Sequence, residues 1–352
     1  MEYILKRFKY SSISALAMKR KIIKQGHNTL TITLPSDWAK RFNLEAGKEI
    51  DMIERDNGLF ISTEKNGKIK RAEFDITDMD IPTIWKYFMA VYREGYDELL
   101  IKFPPDSEVE NPYKFFAQHK LDLRYKTGTQ KRPIVESIQG FVNRFIGYEI
   151  IEHGKDHILI KEMGEITSKE FDNSLRRVFL LLQQMSEETL EAISTNEPKL
   201  LAHLHDVDIN LDKFHDYCIR VLNKIGNKEP RKSELLFSTL YIIEMIGDEF
   251  KNIAFHITED MKGKNLKNLQ QLCHLTAEHL NGFYELFYNF DKEKMIGMSK
   301  RDLEIYMYLP KIYKKKNGKS ELSNMELEIL NHFRRISRYI NALIELRIEM
   351  EF

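Results

Sequence analysis

Arg20-Lys-Ile-Ile-Lys-Gln-Gly26, followed two residues later by Thr29-Leu-Thr-Ile-Thr-Leu-Pro35, is the stretch whose reading decides the fold. Strict alternation of threonine with leucine or isoleucine puts the apolar side chains on one face of a strand. Gly26 supplies the turn before it. Pro35 ends the strand and opens a single helical turn to Phe42, with Pro35 in the first turn and Ser36 and Asp37 placed to satisfy free amides. Two more β-prone runs follow, Ile50 to Glu54 and Leu59 to Ser62, punctuated by Gly47 and Gly58. Ile22, Leu30, Ile32, Leu34, Trp38, Phe42, Leu44 and Ile50 are expected to point inward. Lys19, Arg20, Lys21 and Lys24 carry positive charge with no acid between Met18 and Asn28. Such a segment is either a phosphate-binding surface or a solvated basic edge that discourages strand-to-strand aggregation.

Basic strand, glycine turn, alternating strand, Leu-Pro, one helical turn carrying Trp38, then Leu44 and a hairpin closed by Gly47: in this order the segment resembles the AbrB/MazE/SpoVT swapped-hairpin family, in the form found in archaeal regulators. The resemblance spans roughly 45 residues. It implies a homodimer whose basic face, with the Gly26-His27-Asn28 turn and with Lys40 and Arg41, contacts DNA. Elementary packing agrees with the dimer. A unit this small, with so few apolar residues, buries too little surface alone, and exchanging hairpins with a second copy supplies a shared core.

Outward from this unit, the 352 residues exceed one ordinary core and imply several folding units. Lys plus Arg and Asp plus Glu are equal at 54 each, so any nucleic-acid surface must come from local segregation of charge. Cys218 and Cys273 lie far apart in helical segments, which fits buried thiols in the reducing cytoplasm. No apolar run approaches the ~20 residues of a spanning helix, so stable membrane insertion is not expected. Lys6, Arg7 and Lys9 ahead of Ile13 to Ala17 imitate a secretion signal, but the apolar part is too short; residues 1–18 are expected to be a disordered leader, or sequence upstream of a start at Met18.

Residues 72–165 read as a small α+β linker module. A helix starts after Asp80 and runs through Arg93, Gly95 stops it, and Tyr96 to Phe103 is a strand. Pro104, Pro105 and Pro112 mark a loop, Pro133 opens a helix to Phe145, and Glu149 to Ile151 with His157 to Lys161 make a hairpin. From Ser168 strand signals vanish. Amphipathic segments at about 170–195, 198–224, 232–260, 266–290, 299–316 and 324–350 predict six helices, in two groups of three joined near Gly263. The expected architecture is therefore a multidomain α+β chain: a swapped-hairpin domain at 19–68, the α+β module, and an all-α domain at 168–352.

Two carboxylate pairs mark the helical part. Glu244 and Asp248 stand four apart on one face of a helix, and Asp208 and Asp212 repeat the spacing on the helix before, with His205 and His215 extending that stripe. Packed antiparallel, the two helices would converge four carboxylates on a divalent metal or iron; otherwise the acids simply cover polar helix faces. Ile243 to Ala254 also resembles the Glu-x-x-x-Asp helix of the PhoU family, regulators of phosphate uptake that carry metal clusters on paired helices. That resemblance implies a metal at Asp208, Asp212, Glu244 and Asp248, and phosphate-transport or sensor components as partners. In the second group of helices Arg334 and Arg338 occupy the equivalent positions, so a second metal site is not expected.

Neither a nucleophile elbow, a phosphate loop nor a paired acid and base is present, and catalysis is not expected. Together the two signatures point to a dimeric DNA-binding transcriptional regulator of phosphate uptake. The alternative is a PhoU-type interaction protein acting on a phosphate transporter or sensor, with hairpins serving dimerisation alone. An antitoxin partnered by a toxin would share the hairpin domain but leave the long bundle without a role.

Overall fold

A computed structural model describes residues 19–26, 29–55, 58–63, 69–111, 130–164, 166–201, 203–225, 230–257, 266–313, 315–316, 319–320 and 322–352. The expected leader at 1–18, the turn residues His27 and Asn28, and the junction near Gly263 lie outside them. The chain forms two compact units that meet between Lys68 and Ile69.

In the N-terminal unit, β1 (Ile23–Gln25) pairs antiparallel with β2 (Thr29–Thr31), Ile23 opposite Thr31. Gly26 takes the left-handed conformation that this turn requires, with φ at +72°. The helical turn α1 (Ser36–Arg41) follows, and β3 (Ile50–Arg55) pairs antiparallel with β4 (Gly58–Thr63). Two details differ from the sequence reading. Pro35 caps α1 from outside, its carbonyl accepting from the Ala39 amide at 2.9 Å, and no side chain caps the helix. The strand also stops at Thr31, because its ladder partner β1 begins at Ile23, and the alternation to Leu34 has nothing to pair with among the described residues.

The expected inward face is not a core within one chain. Ile22, Leu30, Ile32 and Phe42 are between 46% and 68% exposed, and Leu34, Trp38, Leu44 and Ile50 are only half-buried. The physical reason is topological: β1–β2 and β3–β4 are separate two-stranded ribbons, and such ribbons have no second layer to cover them.

The second unit starts with a sheet in the order β5 (Arg71–Asp75), β6 (Glu98–Lys102), β10 (His157–Glu162), β9 (Tyr148–His153). β5 and β6 are parallel, joined by the crossover helix α2 (Ile81–Arg93); the other pairs are antiparallel. Asp80 caps α2 by accepting from the Thr83 amide at 2.9 Å. A short ribbon, β7 (Glu108–Asn111) with β8 (Gln130–Pro133), leads into α3 (Ile134–Val142). Apolar stripes of the two helices meet Leu99, Ile101, Ile158 and Ile160 in the core, and Trp85 stacks on Phe145 at 5.0 Å. Gly95 ends α2 with φ at +77°, and a Cβ there would meet the Lys224 side chain at 2.4 Å.

Six long helices then follow, as the periodicity predicts: α4 (Ser168–Thr195), α5 (Leu204–Ile225), α6 (Pro230–His256), α7 (Lys267–Tyr288), α8 (Lys292–Ile312) and α9 (Asn324–Glu349). Capping boxes at Thr167/Glu170 and Ser323/Glu326 start α4 and α9. A separate 3-10 turn, Pro198–Leu201, replaces the expected beginning of α5. α8 begins at Lys292, seven residues before the expected position, because Asp291 accepts from the amides of Glu293 and Lys294. The two groups of three are joined through α4 against α7 and α6 against α9. The segment at 72–165 is a layer of this same unit, since α2 packs on α5 and both contribute to one hydrophobic core. Cys218 and Cys273 are free and buried, and no described helix is long and apolar enough to cross a membrane.

Candidate functional site

Lys19, Arg20 and Lys21 precede β1 and are exposed; Lys24 lies within it, exposed too. Lys40 and Arg41 close α1, where cations favour the negative end of the helix dipole, and both face solvent. The ladder register corrects one point. Lys24 stands directly opposite Leu30, so these two share a face. The basic strand is therefore not an all-polar surface: one of its four cations lies beside an exposed apolar side chain.

On the helices, spacing did bring the acids together. Asp208, Asp212 and Asp216 descend one side of α5 at four-residue intervals, and Glu244 and Asp248 do so on the adjoining α6. Their charge is met by side-chain cations. Lys251, one turn beyond Asp248, places its Nζ 2.8 Å from Asp208 Oδ2 and also pairs with Asp248. Arg144, just beyond α3, donates to Asp212 at 3.2 Å, and Arg93, from the end of α2, to Asp216 at 2.8 Å. The buried His215 lies 3.2 Å from Asp216.

The electrostatics follow from this crowding. Burial, and then the neighbouring Asp208, push the Asp212 carboxyl well above the usual carboxylate range. Burial, and then Asp248, raise Glu244. Burial opposes the Lys251 charge, but Asp208, Asp248 and Asp212 outweigh it and hold the ammonium firmly protonated.

The residues expected to hold a metal have protein cations among them. Among the described residues no three His, Cys, Asp or Glu side chains converge where they could hold one. The ammonium of Lys251 lies between two of the four expected ligands, Asp208 and Asp248, and Arg144 engages a third. Lys251 and Arg144 thus neutralise three of the acids at which a metal was expected, Asp208, Asp248 and Asp212. The four-residue spacing continued to Asp216 and could have revealed that residue. Arg93 and Arg144 come from the α+β layer, and no local pattern announces them.

Replacing Lys251 with methionine is expected to lower stability by about 2 kcal/mol, because Asp208, only 3% exposed, is left without its cation. Pairing that change with Asp208→Asn should restore most of the loss. Urea denaturation of the four proteins of the cycle measures the coupling, and additive losses would contradict the assignment.

Residues 23–69 match the family model described as antidote-toxin recognition MazE, bacterial antitoxin. This part of the chain is thus of the MazE/AbrB swapped-hairpin type. No curated protein matches the chain. Among solved structures, the phosphate transport system regulatory protein PhoU from Streptococcus pneumoniae is similar at 19% identity and a TM-score of 0.44, over 52% of this chain and 94% of that one.

Proposed function

We propose that the chain is a DNA-binding transcriptional regulator, active as a dimer, in which the N-terminal hairpins read DNA and the long second unit regulates them. One observation carries this reading: a MazE-type unit keeps its apolar side chains uncovered in a single chain. Ile22, Leu30, Ile32, Phe42 and Leu59 are each at least 46% exposed. Fully covering such a side chain contributes roughly 1.5–3 kcal/mol. Both copies gain on pairing, which is enough to outweigh the usual cost of association. Dimerisation also doubles Lys19, Arg20, Lys21 and Lys24 about a two-fold axis, the arrangement that a duplex with symmetric half-sites recognises.

Control of phosphate uptake is proposed from the sequence of Ile243 to Ala254 alone, which resembles the corresponding helix of phosphate regulators. Gel shift on the full chain tests both parts. A shifted band is expected with its own promoter region and with the upstream regions of phosphate-transport genes. Absence of any shift at low salt would overturn DNA binding, and a shift restricted to unrelated promoters would overturn the phosphate assignment.

A further inference from the structure

Helix α9 carries two cations at the four-residue spacing that the acids have on α6. Arg334 and Arg338 stand four residues apart on α9, hence one turn apart on one face, and both border a cleft of about 550 Å³ between α8 and α9. Every other arginine on α9 is engaged: Arg335 pairs with Glu249 at 3.0 Å, and Arg347 donates to the Phe287 carbonyl at 2.9 Å. Among the described residues Arg334 and Arg338 have no partner. Ser337 and Asn341 add a hydroxyl and an amide along the same wall.

Across the cleft, α8 supplies an apolar floor of Ile305, Leu309 and Pro310 together with Tyr306, and Tyr313 follows at its end. The Tyr306 side chain is 69% exposed, its ring open for stacking. One acid enters the cleft, Asp302, whose Oδ1 accepts from Ser337 Oγ at 3.2 Å. Two guanidinium groups against one carboxylate leave the cleft positive.

We propose that this cleft binds a phosphate-bearing small ligand, with the phosphate held by Arg334 and Arg338 and an organic body lying on Tyr306 and the apolar floor. One guanidinium fork already matches the two oxygens of a carboxylate. Two forks one turn apart, with the Asn341 amide beyond Arg338 on the same wall, suit a tetrahedral dianion with three free oxygens. The volume also exceeds what the phosphate alone would fill and falls in the range of about 300–1,000 Å³ typical of small-ligand pockets. The site does not depend on the DNA reading, and failure of DNA binding would leave it untouched.

Calorimetric titration of the full chain with adenosine monophosphate, and separately with inorganic phosphate, tests it. Binding of the nucleotide is expected, weakened roughly tenfold or more by Arg334→Gln and again by Arg338→Gln. Arg334→Lys should recover only part of the affinity, since charge returns without the fork. Asp302→Asn is expected to tighten binding, a gain that misfolding cannot mimic. Tyr306→Ala separates the two sources of phosphate: it should weaken the nucleotide and spare the inorganic ion, whereas equal binding of both ligands in wild type assigns the cleft to free phosphate. No binding of either ligand at millimolar concentration, or affinity unchanged in the double arginine variant, overturns the proposal.

Discussion

Arg220→Ala is expected to remove about 3–5 kcal/mol from the stability of the second unit and to lower its Tm by roughly 6–15 °C, the largest loss from any single side chain described above. Arg220 rises from α5 into the α+β layer and is fully buried. Its Nη1 donates to the Tyr92 carbonyl and its Nη2 to the Tyr96 carbonyl, both at 2.6 Å, while Nε donates to Glu162 Oε1 at 3.0 Å. The rings of Tyr92 and Tyr148 lie on the guanidinium, each 4.8 Å from it. One cation therefore satisfies the end of α2, the loop leading to β6 and the end of β10, and fastens all three to the bundle.

Truncation strands those acceptors in a site where burial already pushes the Tyr148 hydroxyl up to about 12. Lysine is not an adequate substitute, since three donors on one ammonium cannot reach two carbonyls and a carboxylate in a plane or stack between two rings. Arg220→Lys should thus recover less than half of the loss. Urea or thermal denaturation decides: a loss below 1 kcal/mol for alanine, or full recovery by lysine, would contradict this account. The consequence for function is mechanical. One layer is fastened to the other by a saturated polar anchor set within their shared hydrophobic core.

How far the fold could be read depended on whether the deciding interactions were local. The six helices were legible because their apolar stripes are long and two begin with capping boxes spelled within four residues, Thr167 to Glu170 and Ser323 to Glu326. α8 was misplaced where the signal was weaker, since Gly297 interrupts its first turns and Asp291 had to be recognised as the cap. Arg220 was invisible. A charged residue on an apolar face, serving carbonyls more than 120 positions away, leaves no periodic trace. The carboxylates show the same division. Their spacing marked Asp208, Asp212, Glu244 and Asp248 as a cluster, but what neutralises them came partly from Arg144, which sequence could not place beside them. Arg334 and Arg338 were visible only as missing acids; the cleft they border is completed by Tyr306, Leu309, Pro310 and Tyr313, which no spacing could place opposite them.

Simultaneous replacement of Lys19, Arg20, Lys21 and Lys24 by alanine is expected to weaken DNA binding by on the order of a thousandfold at moderate salt. Eight cations leave each dimer. Every phosphate contact among them should take about 0.9 from the slope of log affinity against log salt concentration, so a fall of roughly 4 to 7 is expected if most of the eight touch the backbone. All four side chains are exposed in the single chain, so their removal leaves no cavity. Lys24 discriminates further, because its position opposite Leu30 places it beside the apolar face that a second copy would cover. If that face is the seam, Lys24→Ala alone shifts the monomer–dimer equilibrium more than it shifts the salt slope, whereas Lys21→Ala does the reverse. Light scattering and salt-series gel shifts on the same proteins separate the two effects. An intact dimer whose affinity and salt slope both survive the fourfold replacement would reduce the hairpins to an assembly device, and would move the regulatory contact to the surfaces of the second unit.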